Sequence, residues 1–140
     1  MATANETQVA GTHYKTAYQH WDLVWDAGMG YFPGQITKYI SRHSKKNGLQ
    51  DVQKALHFAA KYAELLRDSG KILGPLLQVP AIEQRLRRYL ISNPHLDDNE
   101  LQIIRLCAHA HGVLTMEAVI RFIEAVAGGY PGPGYVNQGD

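Results

Sequence analysis

The residues best suited to chemistry lie between Lys38 and Lys61, where six of the chain's fourteen lysines and arginines accompany a single acid, Asp51. That stretch carries a balance of +5 in a chain whose formal total is +1, so the remainder is mildly acidic. On a helix Lys38, Arg42 and Lys45 recur at i, i+4 and i+7, which gathers three cations on one face and makes a local field for anions. Arginine offers a planar fork that grips phosphate through two hydrogen bonds, while Lys46 and Lys54 add mobile point charges. That mixture suits a nucleotide or polyphosphate, although a solvated helix face would show the same periodicity. Asp51 is placed for a local ion pair with Lys54 or for complementing the first turn of its helix. Its functional alternative is to orient Arg42 or Lys38.

Other candidates are sparser. Asp22 and Asp26 stand at i and i+4, a spacing that puts two carboxylates on one helix face for a magnesium ion or a general base, or simply for solvent. Gly11-Thr12-His13-Tyr14-Lys15 sets an imidazole, a phenol and an amine beside a glycine that lets backbone approach a ligand. Cys107, His109 and His111 include metal-ligand types, but neighbours at i and i+2 diverge on a helix and no fourth ligand is evident. His57 reads as a packed or surface histidine. There is no phosphate-cradling P-loop, dinucleotide fingerprint or serine elbow.

These side chains need helices to hold them. Apolar positions recur mostly at helical spacing without sustained alternation, which predicts an all-α chain. After a polar segment over residues 1–16, a first short helix is expected over about 17–27, with Trp21, Val24 and Trp25 inward and Gly28 and Gly30 ending it. A second helix follows Pro33, turns Ile36, Tyr39, Ile40 and His43 inward, and stops at Asn47-Gly48. The third, over about 49–68, has an apolar stripe of Leu49, Val52, Leu56, Ala59, Ala63 and Leu66 and closes at Ser69-Gly70. The second and third should form a central antiparallel hairpin bearing the basic stretch, within a region spanning 17–70.

Gly74-Pro75 marks a linker. About three helices should follow it, packed in the same domain over 71–127. Pro80 opens the first, with Ile82, Leu86, Tyr89 and Leu90 inward. Asp97 to Glu100 has the spacing of a capping box leading into Leu101, Ile104 and Cys107. Thr115 is expected to cap a last helix containing Val119, Phe122, Ile123 and Val126. Residues 128–140 are too rich in Gly and Pro for a regular element and read as a tail or as an arm that orders on a partner.

The chain's 140 residues suit one domain with a real core. A net charge near zero disfavours a general nucleic-acid coat, so any anion site is local. A lone cysteine, a polar start and no apolar run of membrane-spanning length lead us to expect a cytoplasmic protein without a membrane partner.

Taken together, Gly11 to Lys15, the run Gly34-Gln35-Ile36-Thr37-Lys38-Tyr39-Ile40-Ser41-Arg42, Lys45 to Gly48, and Asp51-Val52-Gln53-Lys54-Ala55 resemble a family of small bacteriophage proteins. That family was catalogued as a domain of unknown function and is often labelled nucleotide kinase. The resemblance spans about residues 9–66, with Gln35 where Asn is common and His20-Trp21 where Pro-Ile is usual. It implies phosphoryl transfer to a deoxynucleoside monophosphate without a P-loop, from ATP or another nucleoside triphosphate, with magnesium as the implied companion. It also implies that His13, Tyr14, Lys15, Lys38, Tyr39, Arg42, Lys45, Lys46 and Lys54 bind substrate. Asp22 and Arg42 would then act in catalysis, with Asp51 orienting the site. The partner expected is a nucleotide or other phosphate-bearing small molecule in preference to nucleic acid, bound by a homo-oligomer in the cytoplasm of an infected host. The alternatives are a non-catalytic module that sequesters a nucleotide or oligonucleotide, and a phage factor whose basic hairpin meets an acidic protein.

Overall fold

A computed structural model of the chain describes residues 18–70, 80–109 and 112–131. Among the described residues there are six α-helices: α1 (His20–Ala27), α2 (Tyr31–Arg42), α3 (Leu49–Asp68), α4 (Pro80–Ser92), α5 (Asp98–His109) and α6 (Val113–Gly128). A 3₁₀ turn, His43–Lys45, follows α2, and no strand occurs among the described residues, so the chain is all-α as its periodicity predicts. The expected lead-in over 1–16, the Gly74-Pro75 linker and the tail beyond residue 131 lie outside the described residues.

Local chemistry explains most helix ends. Gly28 closes α1 in the left-handed region at φ 65°, where it carries no Cβ penalty. Pro33 sits inside the first turn of α2, which therefore begins at Tyr31 and not after the proline; an N–H missing there sacrifices no helical bond. Gly48, at φ 57° and ψ −131°, adopts a backbone that residues with side chains avoid, letting the chain reverse into α3. The capping box before α5 forms in both directions: Glu100 N–H donates to Asp97 Oδ1 at 2.9 Å, and Asp97 N–H donates to Glu100 Oε1 at 2.8 Å. Thr115 does not cap α6, which starts at Val113 after Gly112 in an extended conformation.

The core lies where α2, α3, α6 and α5 close a ring of pairwise contacts, with α1 packed on α4 beside it. Along α3, Ala55, Ala59 and Ala63 recur every four residues and are essentially fully buried, so backbones approach closely on that face. Val52 and Leu66 continue the stripe, and Leu49 and Leu56 pack on its edge. Between α2 and α3, contacts run from Phe32 with Tyr62, through Tyr39 with Phe58, to Arg42 with Asp51, so partners descend α3 as they ascend α2.

Two tryptophans depart from expectation. Trp21 is 54% exposed and Trp25 85% exposed, while Leu23 is buried and Val24 packs on the core edge. Residues four apart share a face, and Leu23 lies about 200° around the helix from each tryptophan at 100° per residue, so the two sets cannot both face inward.

Polar ties fix the frame. Tyr89 donates to Ser41 Oγ at 2.7 Å, and burial pushes its phenol up to about 12 against the lowering effect of that bond. The ring of His95 donates from Nε2 to the Ser41 carbonyl at 2.7 Å. His43, buried, meets Glu100 through Nε2 and the Tyr130 hydroxyl through Nδ1, so the expected tail contributes a core contact at its first aromatic residue.

Candidate phosphate-binding site

The candidate site is built on the facing surfaces of α2 and α3. Lys38, Tyr39 and Arg42 come from α2 at helical spacing, and Lys54 comes from α3. All three cations converge on the ring of Tyr39, with the Arg42 guanidinium carbon 4.7 Å and the Lys38 and Lys54 Nζ atoms each 5.4 Å from its centroid. The ring is itself stacked with Phe58, centroids 5.9 Å apart and planes 12° apart. Each cation gains about 0.5–1 kcal/mol from an aromatic face at such partly exposed sites, which offsets part of their mutual repulsion.

Asp51 completes the arrangement. Its carboxylate is fully buried, and Oδ2 lies 3.4 Å from Arg42 Nε, an ion-pair distance whose geometry falls short of a hydrogen bond. The Asn47 backbone N–H donates to the same oxygen at 3.2 Å. Asp51 thus faces Arg42, whereas Lys54 turns to Tyr39. Among the described residues Lys38, Lys45 and Lys54 make no ion pair, and Lys61 is engaged by Glu64 at 3.4 Å on the exposed surface.

The structure changes one expected face. Because α2 ends at Arg42, Lys45 falls in the 3₁₀ turn and does not continue the i, i+4, i+7 row; Lys54 of α3 supplies the third cation at the ring instead. Lys45 is exposed, and Lys46 follows it half-buried. His13, Tyr14 and Lys15 lie outside the described residues. Tyr39, which shares the inner face of α2 with Ile36 and Ile40 in sequence, is half-buried at the boundary between core and cation cluster.

The two acids of α1 have structural partners. Asp22 Oδ2 accepts the Gln19 backbone N–H at 2.9 Å, closing the first turn. Asp26 Oδ2 accepts the Tyr18 hydroxyl at 2.7 Å and lies 3.5 Å from Arg85 Nε. No cluster of three or more metal-ligating side chains occurs among the described residues. Cys107 is fully buried, and desolvation pushes its thiol up to about 12. His109 pairs with Glu83 at 2.7 Å, and His57 is exposed.

His20 is a neighbour that sequence reasoning did not single out. Its Nε2 lies 2.7 Å from Thr37 Oγ1, whose hydroxyl is within 2.9 Å of the Pro33 carbonyl. With the hydroxyl proton committed to that carbonyl, the ring donates from Nε2. Burial, and secondarily the charge of Lys38, lower its pKa to about 4, so the imidazole beside the site is neutral. Phe58 was also missed; its position four residues after Lys54 is the signal that would have placed it beside the same ring.

No protein-family model matches the chain, and neither a curated protein nor a solved structure matches it.

Proposed function

We propose that this is a phage-type nucleotide-handling protein that binds the phosphate of a nucleotide at Lys38, Arg42 and Lys54. The observation that carries the reading is the convergence of three cations on one ring, with the arginine backed by a buried carboxylate. Cations held close together repel one another, and an arriving phosphate relieves that repulsion while accepting hydrogen bonds from them. Arg42 supplies a directed fork and the lysines adjustable charge. Phosphoryl transfer would demand little more than this positioning and charge stabilisation, so the resemblance to nucleotide kinases extends the reading to transfer from a nucleoside triphosphate to a deoxynucleoside monophosphate. In that extension Asp22 orients the acceptor or a magnesium ion. The anchoring of Asp22 in the first turn of α1 favours the second reading, a module that holds a nucleotide without turning it over.

Titration calorimetry with ATP and with thymidine monophosphate, on the parent protein and on Lys38→Ala and Lys54→Ala, tests the site. Each substitution should weaken binding about tenfold or more, the loss expected for a charge-assisted contact. Unchanged affinity in both variants, with folding intact, removes the site. Labelled γ-phosphate appearing on dTMP or dGMP identifies the transfer reaction, and binding without product identifies the holding module.

A further inference from the structure

The cation cluster does not stand alone on its face of the molecule. Tyr62, Phe32, Tyr31, Phe58 and Tyr39 form a continuous row of rings along α2 and α3. Phe32 stacks on Tyr62 at 5.2 Å with planes 5° apart, and Tyr31 meets Phe32 edge-on at 5.3 Å. Tyr31 then meets Phe58 at 5.9 Å, and Phe58 stacks on Tyr39. The row therefore ends at the ring over which Lys38, Arg42 and Lys54 sit. Tyr31 is 64% exposed, although its neighbours already pack against one another, so it is a large aromatic face that folding leaves in water.

We infer that this row and the cation cluster together form a binding surface for a short single-stranded oligonucleotide, with phosphates on the cations and a base stacked on Tyr31. The inference rests on the proposed phosphate site and extends its ligand from one nucleotide to several. Length decides for the longer ligand. Tyr31 and Tyr39 are eight residues apart on one helix, about 12 Å at 1.5 Å of rise per residue. At about 3.4 Å per nucleotide along a stacked strand, that distance spans three to four nucleotides and exceeds what one monophosphate bridges. Charge complementarity points the same way, since three cations and one buried acid leave a positive end to an otherwise neutral aromatic surface. Aromatic rings interleaved with cations are how sequence-tolerant single-strand binders work, because every base has a stacking face.

Fluorescence anisotropy with a fluorescein-labelled eight-nucleotide oligothymidylate tests this, with thymidine monophosphate and an inorganic polyphosphate of matching charge as competitors. The oligonucleotide should bind at least tenfold more tightly than the monophosphate and outcompete the polyphosphate. Tyr31→Ala should weaken it about fivefold or more while leaving monophosphate affinity and helical circular dichroism unchanged. The plot of log affinity against log salt should have a slope of about −2 for three neutralised phosphates, falling by about 0.7 in Lys54→Ala. An oligonucleotide bound no more tightly than the monophosphate overturns the inference while the phosphate site stands. So does polyphosphate competing as well as the oligonucleotide, or a folded Tyr31→Ala protein with unchanged oligonucleotide affinity. If neither the monophosphate nor the oligonucleotide binds, the site and the inference fall together.

Discussion

Asp51 decides whether the basic face is a built site or an accumulation of charge. Replacing it with Asn should have two opposed effects on phosphate binding. For an assumed separation of about 7 Å between that carboxylate and a phosphate at the proposed site, removing the anion favours binding by roughly 0.6 kcal/mol in water-like surroundings and about 2.4 kcal/mol at an effective dielectric near 20. Releasing Arg42 from the carboxylate it faces disfavours binding by about 0.5–1.5 kcal/mol, the cost of immobilising a long side chain that was previously held. The two partly cancel, so the single variant is uninformative and a double-mutant cycle is needed. Arg42→Gln provides the second background because its amide keeps a donor toward the buried Asp51. In that background Asp51→Asn should strengthen phosphate binding, since only charge relief remains. In the parent the gain should be smaller by the orienting term, giving a coupling of about 0.5–1.5 kcal/mol by calorimetry. An identical effect in both backgrounds refutes the orienting role. The same substitution should lower stability by about 1–3 kcal/mol in urea unfolding. This is less than for a fully enclosed ion pair, because the Arg42 side chain remains 26% exposed.

Two further predictions concern the frame. His20, whose folded-state pKa of about 4 lies below its unfolded value near 6.5, excludes a proton that the unfolded chain binds. Its contribution is therefore fully present above pH 6.5 and is lost as pH falls toward 4, by about 2–3 kcal/mol, and His20→Gln should flatten the difference in urea midpoint between pH 7 and pH 4.5. A variant whose pH dependence matches the parent's refutes burial of a neutral ring. His43→Leu should cost about 3–5 kcal/mol by leaving the buried Glu100 carboxylate without its partner, and adding Glu100→Gln should recover at least about 1 kcal/mol, whereas additive losses would show that the two side chains do not act together.

What the sequence disclosed follows the range of the interactions involved. The bounds of α3, the proline start of α4 and the capping box before α5 are determined within a turn or two of chain, and each is legible from spacing. Trp21 and Trp25 face outward although their size and hydrophobicity suit a core, because the phase set by Leu23 assigns them to the other face. The cation face was half legible. Lys38 and Arg42 share one helix, but Lys45 leaves it through the 3₁₀ turn, and Lys54 enters only because α3 packs beside α2. The contact of His43 with Glu100 and Tyr130 joins residues 57 and 87 positions away, beyond any local pattern.

That long-range contact also bears on the site. Arg42 and His43 are consecutive, yet Arg42 turns to Asp51 of α3 and His43 turns inward to Glu100 of α5. The C-terminal end of α2 is thereby held by two buried acids from two different helices. A guanidinium whose backbone is fixed in this way loses little further freedom on binding, so its fork is preorganised for an anion. Lys38 and Lys54 have no such backing; their ammonium groups rest against the Tyr39 ring alone. At the proposed phosphate site the cluster would therefore divide its labour, with direction from the arginine and charge from the lysines. It follows that Arg42→Lys, which preserves charge, should impair phosphate binding, whereas Lys54→Arg should be tolerated.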